Sequence, residues 1–427
     1  MNQYRVVEPT TPSVVARPTG VAALSATSGF ALTLVLLGWV FAGMDYTIYS
    51  YALPLILTDL NISIPTAGLI FFLSLQGTFI GSLLAGALAD ALGRRRVMMG
   101  NILLYALSTG TVALAQSAGF LTVVRFLVNF GVGAEQPVGA TYISEVWNPK
   151  TRGRAMGFMQ SGYAIGTLLA TLLLALIAER FGWRLLFIIG AIPALLVVGF
   201  RMWLPESRRW EDQQREKANR AAAGQKTGGF PMRELFGRDL LRVTTIGTVL
   251  LIMGNTAGGG IQAWAPTYLK VQHGLDISTV GWLGVVQALG LLLGYVGAGW
   301  VADALSRRYS LMIFFALGVV SLIIFGLVSG LALLGVAFFV VGVSIGGQFG
   351  NFVVYLSELF PTHARATGVG WCMGIGLFFW ALVPLVLSAL APTGNFGTLF
   401  AIFGGAACVL GIVTAYLGPE TKGLELA

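Results

Sequence analysis

The sequence predicts an all-α membrane protein of twelve spanning helices in two matched halves. Three observations predict it. Of the 427 residues, 56% are hydrophobic and only 10% charged, far from the roughly 25% charged residues of an average soluble domain. Apolar runs of about 20 residues, each long enough to cross ~30 Å of hydrocarbon, recur twelve times along the chain. Motifs at the ends of these runs recur at an offset of 213 residues, half the chain.

Residues 1–28 are polar and rich in Pro, Thr and Ser, with no apolar core close enough behind a basic start for a cleaved signal peptide. They are expected to form a disordered cytoplasmic tail. Spans are expected near 30–57, 67–91, 97–116, 120–146, 154–178 and 184–204, then near 241–269, 279–305, 309–329, 331–359, 367–391 and 396–417. The two halves are therefore 29–204 and 241–418, joined by a linker at 205–240 and followed by a short tail at 419–427. The linker carries Arg208, Arg209, Arg215, Lys217, Arg220, Lys226, Arg233 and Arg238, the pattern of a connector with an amphipathic interfacial helix. In span 7, Gly258-Gly-Gly260 suits either a hinge or close packing.

Charge sets the orientation. With both ends cytoplasmic, that side holds 22 of the 26 Lys and Arg residues; Arg180, Arg184 and Lys270 face outward and Arg125 lies within a span. The positive-inside rule is met, in what is expected to be the cell (inner) membrane. The net charge of +8 is thus a topology signal and not a nucleic-acid footprint. Cys372 and Cys408 lie in apolar runs, and the two histidines, His273 and His363, fall in loops of opposite halves. Neither a disulfide framework nor a metal site is expected. An enzyme would need a nucleophile with its base or a metal cluster, and the sequence offers neither.

The repeat is written in three motif pairs. Gly86-x-x-x-Asp90-x-x-Gly93-Arg94 is matched by Gly299-x-x-x-Asp303-x-x-Ser306-Arg307, and Glu145-x6-Arg152 by Glu358-x6-Arg365. Pro205-Glu206-Ser207-Arg208 is matched by Pro419-Glu420-Thr421-Lys422-Gly423. Small residues let helix ends approach, an Asp can meet a neighbouring helix N-terminus, and the arginines hold the loop in the cytoplasm.

With these motifs, residues 30–425 resemble the major facilitator superfamily. The resemblance implies two pseudo-symmetric six-helix bundles around a central cavity, rocking to expose it alternately to either side. It also implies a monomer, and a cytoplasmic charge network made by Asp90, Arg94, Glu145, Arg152, Glu206, Asp303, Arg307, Glu358 and Arg365. Within the superfamily, Gly43-Met-Asp45 through Pro54 is similar to the acidic first helix of the sialate and aromatic-acid proton symporters. Arg125, Gly131, Gly133 and Glu135 in span 4, and Tyr355-Leu-Ser-Glu358 with Gly370-Trp-Cys-Met-Gly-Ile-Gly376, resemble the same group. Leu377 departs from it, standing where many of those symporters carry an arginine for a second carboxylate clamp. The sugar porters are the competing resemblance, through Arg152-Gly153, Gln160 and Pro419-Glu-Thr-Lys-Gly423; their glutamine-rich span 7 is not recognisable here. A drug:proton antiporter is a further alternative, although Gly162-Tyr-Ala-Ile-Gly166 lacks that branch's proline.

Asp45, Arg125 and Glu135 are the ionisable residues placed well inside spans. A charge at the bilayer centre costs a few kcal/mol even on the lenient insertion scale, so these three imply a polar cavity or partners. Desolvation raises a carboxyl pKa and a nearby guanidinium lowers it, the two influences that proton coupling needs. The expected function is proton-coupled symport of a small, anionic organic acid, with protons as coupling ion and no other cofactor. A proton on Asp45 or Glu135 would free Arg125 to bind a substrate carboxylate. Expected substrate contacts are Arg125, Tyr46, Tyr49, Gln160, Gln262, Trp264, Gln348, Asn351 and Trp371. Gln76, Asn129, Gln136, Tyr163, Asn255, Gln287 and Trp380 form a second rank, because an amide in hydrocarbon needs a partner that is often only a neighbouring backbone.

Overall fold

The computed structural model describes residues 21–147, 152–201, 206, 210–211, 215, 235–361 and 364–421. The first half contributes α1 (Val21–Asp59), α2 (Ile64–Leu92), α3 (Arg94–Val112), α4 (Ala118–Val146), α5 (Arg152–Leu173) and α6 (Glu179–Arg201). The second contributes α7 (Leu241–Val271), α8 (Ile277–Ala304), α9 (Arg307–Leu327), α10 (Leu331–Leu359), α11 (Arg365–Leu390) and α12 (Gly397–Leu417). Their bounds follow the apolar runs closely. Polar caps begin several of them: Ser63, Ser117, Asp276 and Ser306 each accept a backbone N–H from three residues on, satisfying a donor that the first turn leaves open.

Two local features differ from expectation. Helix α1 starts at Val21, inside the segment expected to be disordered. Between α5 and α6 there is no loop. A π turn at Leu174–Ala178 runs straight into α6, and the direction changes at Gly182 with φ 74° and ψ 175°, a conformation that favours glycine.

The duplication is visible atom by atom. A Cβ on Gly77 would lie 2.3 Å from the Phe126 carbonyl oxygen and one on Gly81 2.1 Å from that of Phe130, so α2 and α4 touch along their backbones. Half a chain later, 213 residues on, Gly290 and Gly294 set α8 against the carbonyls of Phe339 and Val343 on α10, with the same distances of 2.1 and 2.3 Å in reverse order. Gly133 against Thr78 and Gly346 against Leu291 make a third matched pair. Without a hydrophobic force between helices in lipid, such close backbone approach is what holds a bundle together. Large apolar side chains such as Leu83, Val123 and Trp300 are exposed on the outside of the bundles, as a hydrocarbon solvent requires.

The bundles meet at the face opposite the termini. There α1 crosses α7, where Ser50 Oγ donates to the carbonyls of Gln262 and Ala263 at 2.5 and 3.0 Å. At the same face α2 packs on α11, with Gly68 against Ser388, and the π turn that follows α5 packs on α8, where Ser278 Oγ donates to the Ala175 carbonyl at 3.0 Å. An aromatic plug fills the middle: Trp264 of α7 lies 5.7 Å from Phe71 of α2 and stacks at 4.8 Å on Phe396. The central cavity lies on the terminus side of this plug.

Candidate functional site

Arg125 is buried to 1% exposure, and it lies beside Asp45, 5% exposed. Its Nη1 donates to Asp45 Oδ2 at 2.7 Å. The other carboxylate oxygen, Oδ1, accepts from the Thr109 hydroxyl at 2.8 Å. Three helices therefore build one site, with the acid on α1, the hydroxyl on α3 and the guanidinium on α4. The guanidinium lies over the Tyr49 ring, 4.3 Å from its centroid, one turn from Asp45 on the same face of α1. A cation on a desolvated ring gains about 2 kcal/mol. Below it, Asn129 Nδ2 donates to the Arg125 carbonyl at 2.8 Å, and Thr78 Oγ1 donates to Asn129 Oδ1 at 3.2 Å. The Arg125 Nε has no hydrogen-bond partner among the described residues.

Asp45 opens onto a central cavity of about 160 Å³ walled by both bundles. The first bundle supplies Trp39, Tyr46, Asn129, Gln160 and Tyr163; the second supplies Asn255, Gln262, Tyr295, Phe349, Leu377 and Trp380. Tyr46 and Trp380 meet across the interface with ring centroids 5.9 Å apart. Asp45 is the one carboxylate in this wall, and no Lys or Arg lines it among the described residues. What the wall offers is aromatic faces, amides and one ion pair.

Of the residues expected from the sequence, Asp45, Tyr46, Gln160 and Gln262 line the cavity, while Arg125 and Tyr49 stand directly behind it. Glu135 is buried to 1% exposure on α4, ten residues from Arg125 and so about 15 Å along the axis. It does not line the cavity. Four other expected contacts lie off this wall. Trp264, fully buried, donates Nε1–H to the Pro384 carbonyl at 3.0 Å and belongs to the plug. Gln348 donates to Ser344 Oγ at 2.9 Å and Asn351 to the Gly347 carbonyl at 2.8 Å, four residues back in each case, so both donate within their own helix, while Gln348 Oε1 is buried without a partner among the described residues. Trp371 sits at the terminus end of α11, edge-on to Phe236 at 5.1 Å. Thr109, Trp39 and Tyr295 were not legible in advance, since a threonine or aromatic in an apolar run carries no signal without a partner.

The terminus face holds the repeated motifs. Glu206 accepts the backbone N–H groups of Arg94 at 2.9 Å and Arg95 at 3.2 Å, capping α3 where its dipole favours a carboxylate. A Cβ on Gly93, which has φ 100°, would lie 2.4 Å from that carboxylate. Arg94 turns back to donate to the Ala89 carbonyl at 2.9 Å. In the second half Arg307 pairs with Asp303 at 2.5 Å and with Glu358 at 3.4 Å, and Glu358 accepts from the Thr421 hydroxyl at 2.6 Å. These contacts all lie within one bundle. Asp90, Glu145, Arg152 and Arg365 have side chains outside the described residues, as does most of the linker.

The chain matches the Major Facilitator Superfamily over residues 35–279 and 263–425. The chain belongs to this superfamily. Among its relatives, the cis,cis-muconate transport protein of Acinetobacter baylyi is 29% identical over 389 residues, covering 89% of this chain and 92% of that one. The sialic acid transporter NanX of Escherichia coli is 28% identical over 385 residues, covering 87% and 89%. Among solved structures, the inward-open form of the xylose transporter XylE from E. coli superposes with a TM-score of 0.74 at 23% identity, covering 92% of this chain and 97% of that chain. This last likeness concerns the fold. As a member of the superfamily the chain is a multi-pass membrane transporter of small molecules and not an enzyme.

Proposed function

We propose that the protein is a proton-coupled symporter that imports a small organic carboxylate across the cell (inner) membrane by alternating access, as a monomer with both termini cytoplasmic. The observation that carries this reading is the Asp45–Arg125 pair, buried at 2.7 Å on the wall of the cavity. Names of relatives that carry muconate and sialic acid support the acidic cargo.

The chemistry follows from what each partner can do. Arg125 does not give up its proton at any physiological pH, so its charge must always be met by an anion. Asp45 meets it in this structure. When Asp45 takes a proton, the guanidinium loses its counter-charge, and a cargo carboxylate entering the cavity restores it. The proton and the cargo anion thereby cross together with the charge at Arg125 compensated throughout, which avoids burying an uncompensated ion. Thr109 holds the carboxyl in place in either protonation state, because a hydroxyl can donate to a carboxylate or accept from a carboxylic acid. Glu135, about 15 Å along α4, stands apart from this exchange, so the proton site is assigned to Asp45.

The cavity supports a small cargo. A cavity near 150 Å³ takes a single benzene-sized ring, and this one has about 160 Å³ with aromatic faces on both sides. The terminus-face motifs also fit the scheme: Asp90, Arg94, Glu145, Arg152, Glu206, Asp303, Arg307, Glu358 and Arg365 would form the charge network that closes that face when the plug opens. The cavity amides favour one second reading, a neutral polyhydroxylated cargo such as a sugar. A thermal-shift screen across aromatic acids, sugar acids, short monocarboxylates and neutral sugars separates the two. The coupling is tested by the pH of a weakly buffered cell suspension: cargo should alkalinise the medium, and acidification would make the protein an antiporter.

A further inference from the structure

Gln262, in the cavity wall, is tied to the opposite bundle at its backbone and, through Gln287, at its side chain. Its backbone carbonyl accepts from Ser50 of α1 at 2.5 Å. Its side-chain Oε1 accepts from Gln287 Nε2 of α8 at 3.1 Å, and Gln287 Oε1 in turn accepts from the Tyr51 hydroxyl of α1 at 3.5 Å. Adjacent residues of α1, Ser50 and Tyr51, thus hold the backbone and, through Gln287, the side chain of a single residue in the other bundle. All these groups are out of water, Gln287 and Ser50 completely and Tyr51 to 2% exposure. The seat of Tyr51 is built for it. Gly284, one turn before Gln287 on α8, leaves the space for the ring, since a Cβ there would lie 2.5 Å from Tyr51 Cε1.

The chain of donors also fixes the orientation of an amide. With Oε1 taken by Gln287, the Nε2 of Gln262 is the group left to face the cavity, and it can only donate. It therefore suits a cargo oxygen that accepts, such as a carboxylate or carbonyl. When the bundles part at the plug face, Tyr51 leaves α8, and the Gln287 side chain that orients the Gln262 amide loses its anchor in the opposite bundle.

We infer that Tyr51 and Gln287 are positioning residues that present the Gln262 amide to the cargo only while the plug face is closed, so that cargo contact and closure reinforce one another. This rests on the reading that cargo occupies the central cavity. The energetic link is nevertheless measurable without cargo.

The test uses full-length protein in lipid nanodiscs with Cys372 and Cys408 replaced by alanine. Spin labels are placed at Gln116→Cys and Gln272→Cys, exposed loop positions of the two bundles at the plug face. Their distance distribution reports the ratio of plug-open to plug-closed molecules. Gln287→Leu and Gln262→Leu should each raise that ratio about fivefold, the equivalent of one hydrogen bond of about 1 kcal/mol. Tyr51→Phe should raise it similarly, and Tyr51→Phe with Gln287→Leu no further than Gln287→Leu alone, because the two share one chain. Gln348→Leu, a buried amide outside the chain, is the control and should leave the ratio unchanged. An unchanged ratio in Gln287→Leu overturns the proposal, and so does an effect of Gln287→Leu that Gln262→Leu does not share. A structural role alone would lower the unfolding temperature and leave the ratio untouched. Failure of proton-driven uptake would contradict the proposed function and leave this ratio intact, so the two readings fail separately.

Discussion

Removing one charge from the Asp45–Arg125 pair, then the other, then both, gives the sharpest energetic consequence of the site. Asp45→Asn keeps the shape and can keep the Thr109 hydrogen bond of 2.8 Å, so it isolates charge from packing. It leaves Arg125, 1% exposed, with no anion at 2.7 Å. Arg125→Met conversely leaves a carboxylate 5% exposed beside an apolar chain. Breaking a buried pair by removing one partner costs about 3–5 kcal/mol, whereas replacing both by uncharged groups is often near neutral. The double variant Asp45→Asn/Arg125→Met should therefore recover most of the loss, a coupling of about 3 kcal/mol or more. The assay is unfolding of purified protein in detergent, followed by the loss of helical signal on heating or on titration with a denaturing detergent. Both single variants should unfold earlier than wild type, and the double variant close to it. If the double loss equals the two single losses added together within about 0.5 kcal/mol, the residues do not act as a pair and the reasoning fails.

Three further outcomes follow from the geometry. Leu377→Arg places a second guanidinium in the cavity wall, and a hydrogen bond to a charged group of about 1.5–3 kcal/mol should improve competition by dicarboxylates over monocarboxylates roughly ten- to hundredfold. Trp264→Ala removes the centre of the plug, so a cysteine introduced at Ser74→Cys, otherwise buried at 1% exposure, should react several-fold faster with a membrane-impermeant maleimide added outside. Gly77→Val and Gly290→Val should each abolish recovery of folded protein, since their Cβ atoms would meet carbonyl oxygens at 2.3 and 2.1 Å; Gly100→Ala, with nothing within 4 Å, should be recovered like wild type.

Much of the fold could be read because lipid forces a simple code. A helix that crosses hydrocarbon must be long and apolar, and the charged motifs at its ends marked the duplication before any coordinates did. The boundary between α5 and α6 was read as a loop because Glu179, Arg180 and Arg184 interrupt the apolar run, whereas a single glycine turn at Gly182 makes the change of direction. At the site, Asp45 and Arg125 stood out because a charge in an apolar run has no inexpensive explanation. That they form a pair was not legible, since they lie 80 residues apart. Amides misled in a consistent way: Gln348 and Asn351 carry the same signal as Gln160 and Gln262, yet bond to their own helix. Trp264 looked like a cargo contact, but its ring fits between Phe71 and Phe396 at the bundle seam.

The measurement that bears most directly on the proposed coupling is carboxylate uptake into proteoliposomes under an imposed inward proton gradient, with Asp45→Asn and Glu135→Gln beside wild type. Wild-type protein should concentrate the cargo inside, and Glu135→Gln should retain that ability. Asp45→Asn should lose it, because a residue that cannot release a proton cannot draw on the gradient. Accumulation by Asp45→Asn to the wild-type level would contradict the account.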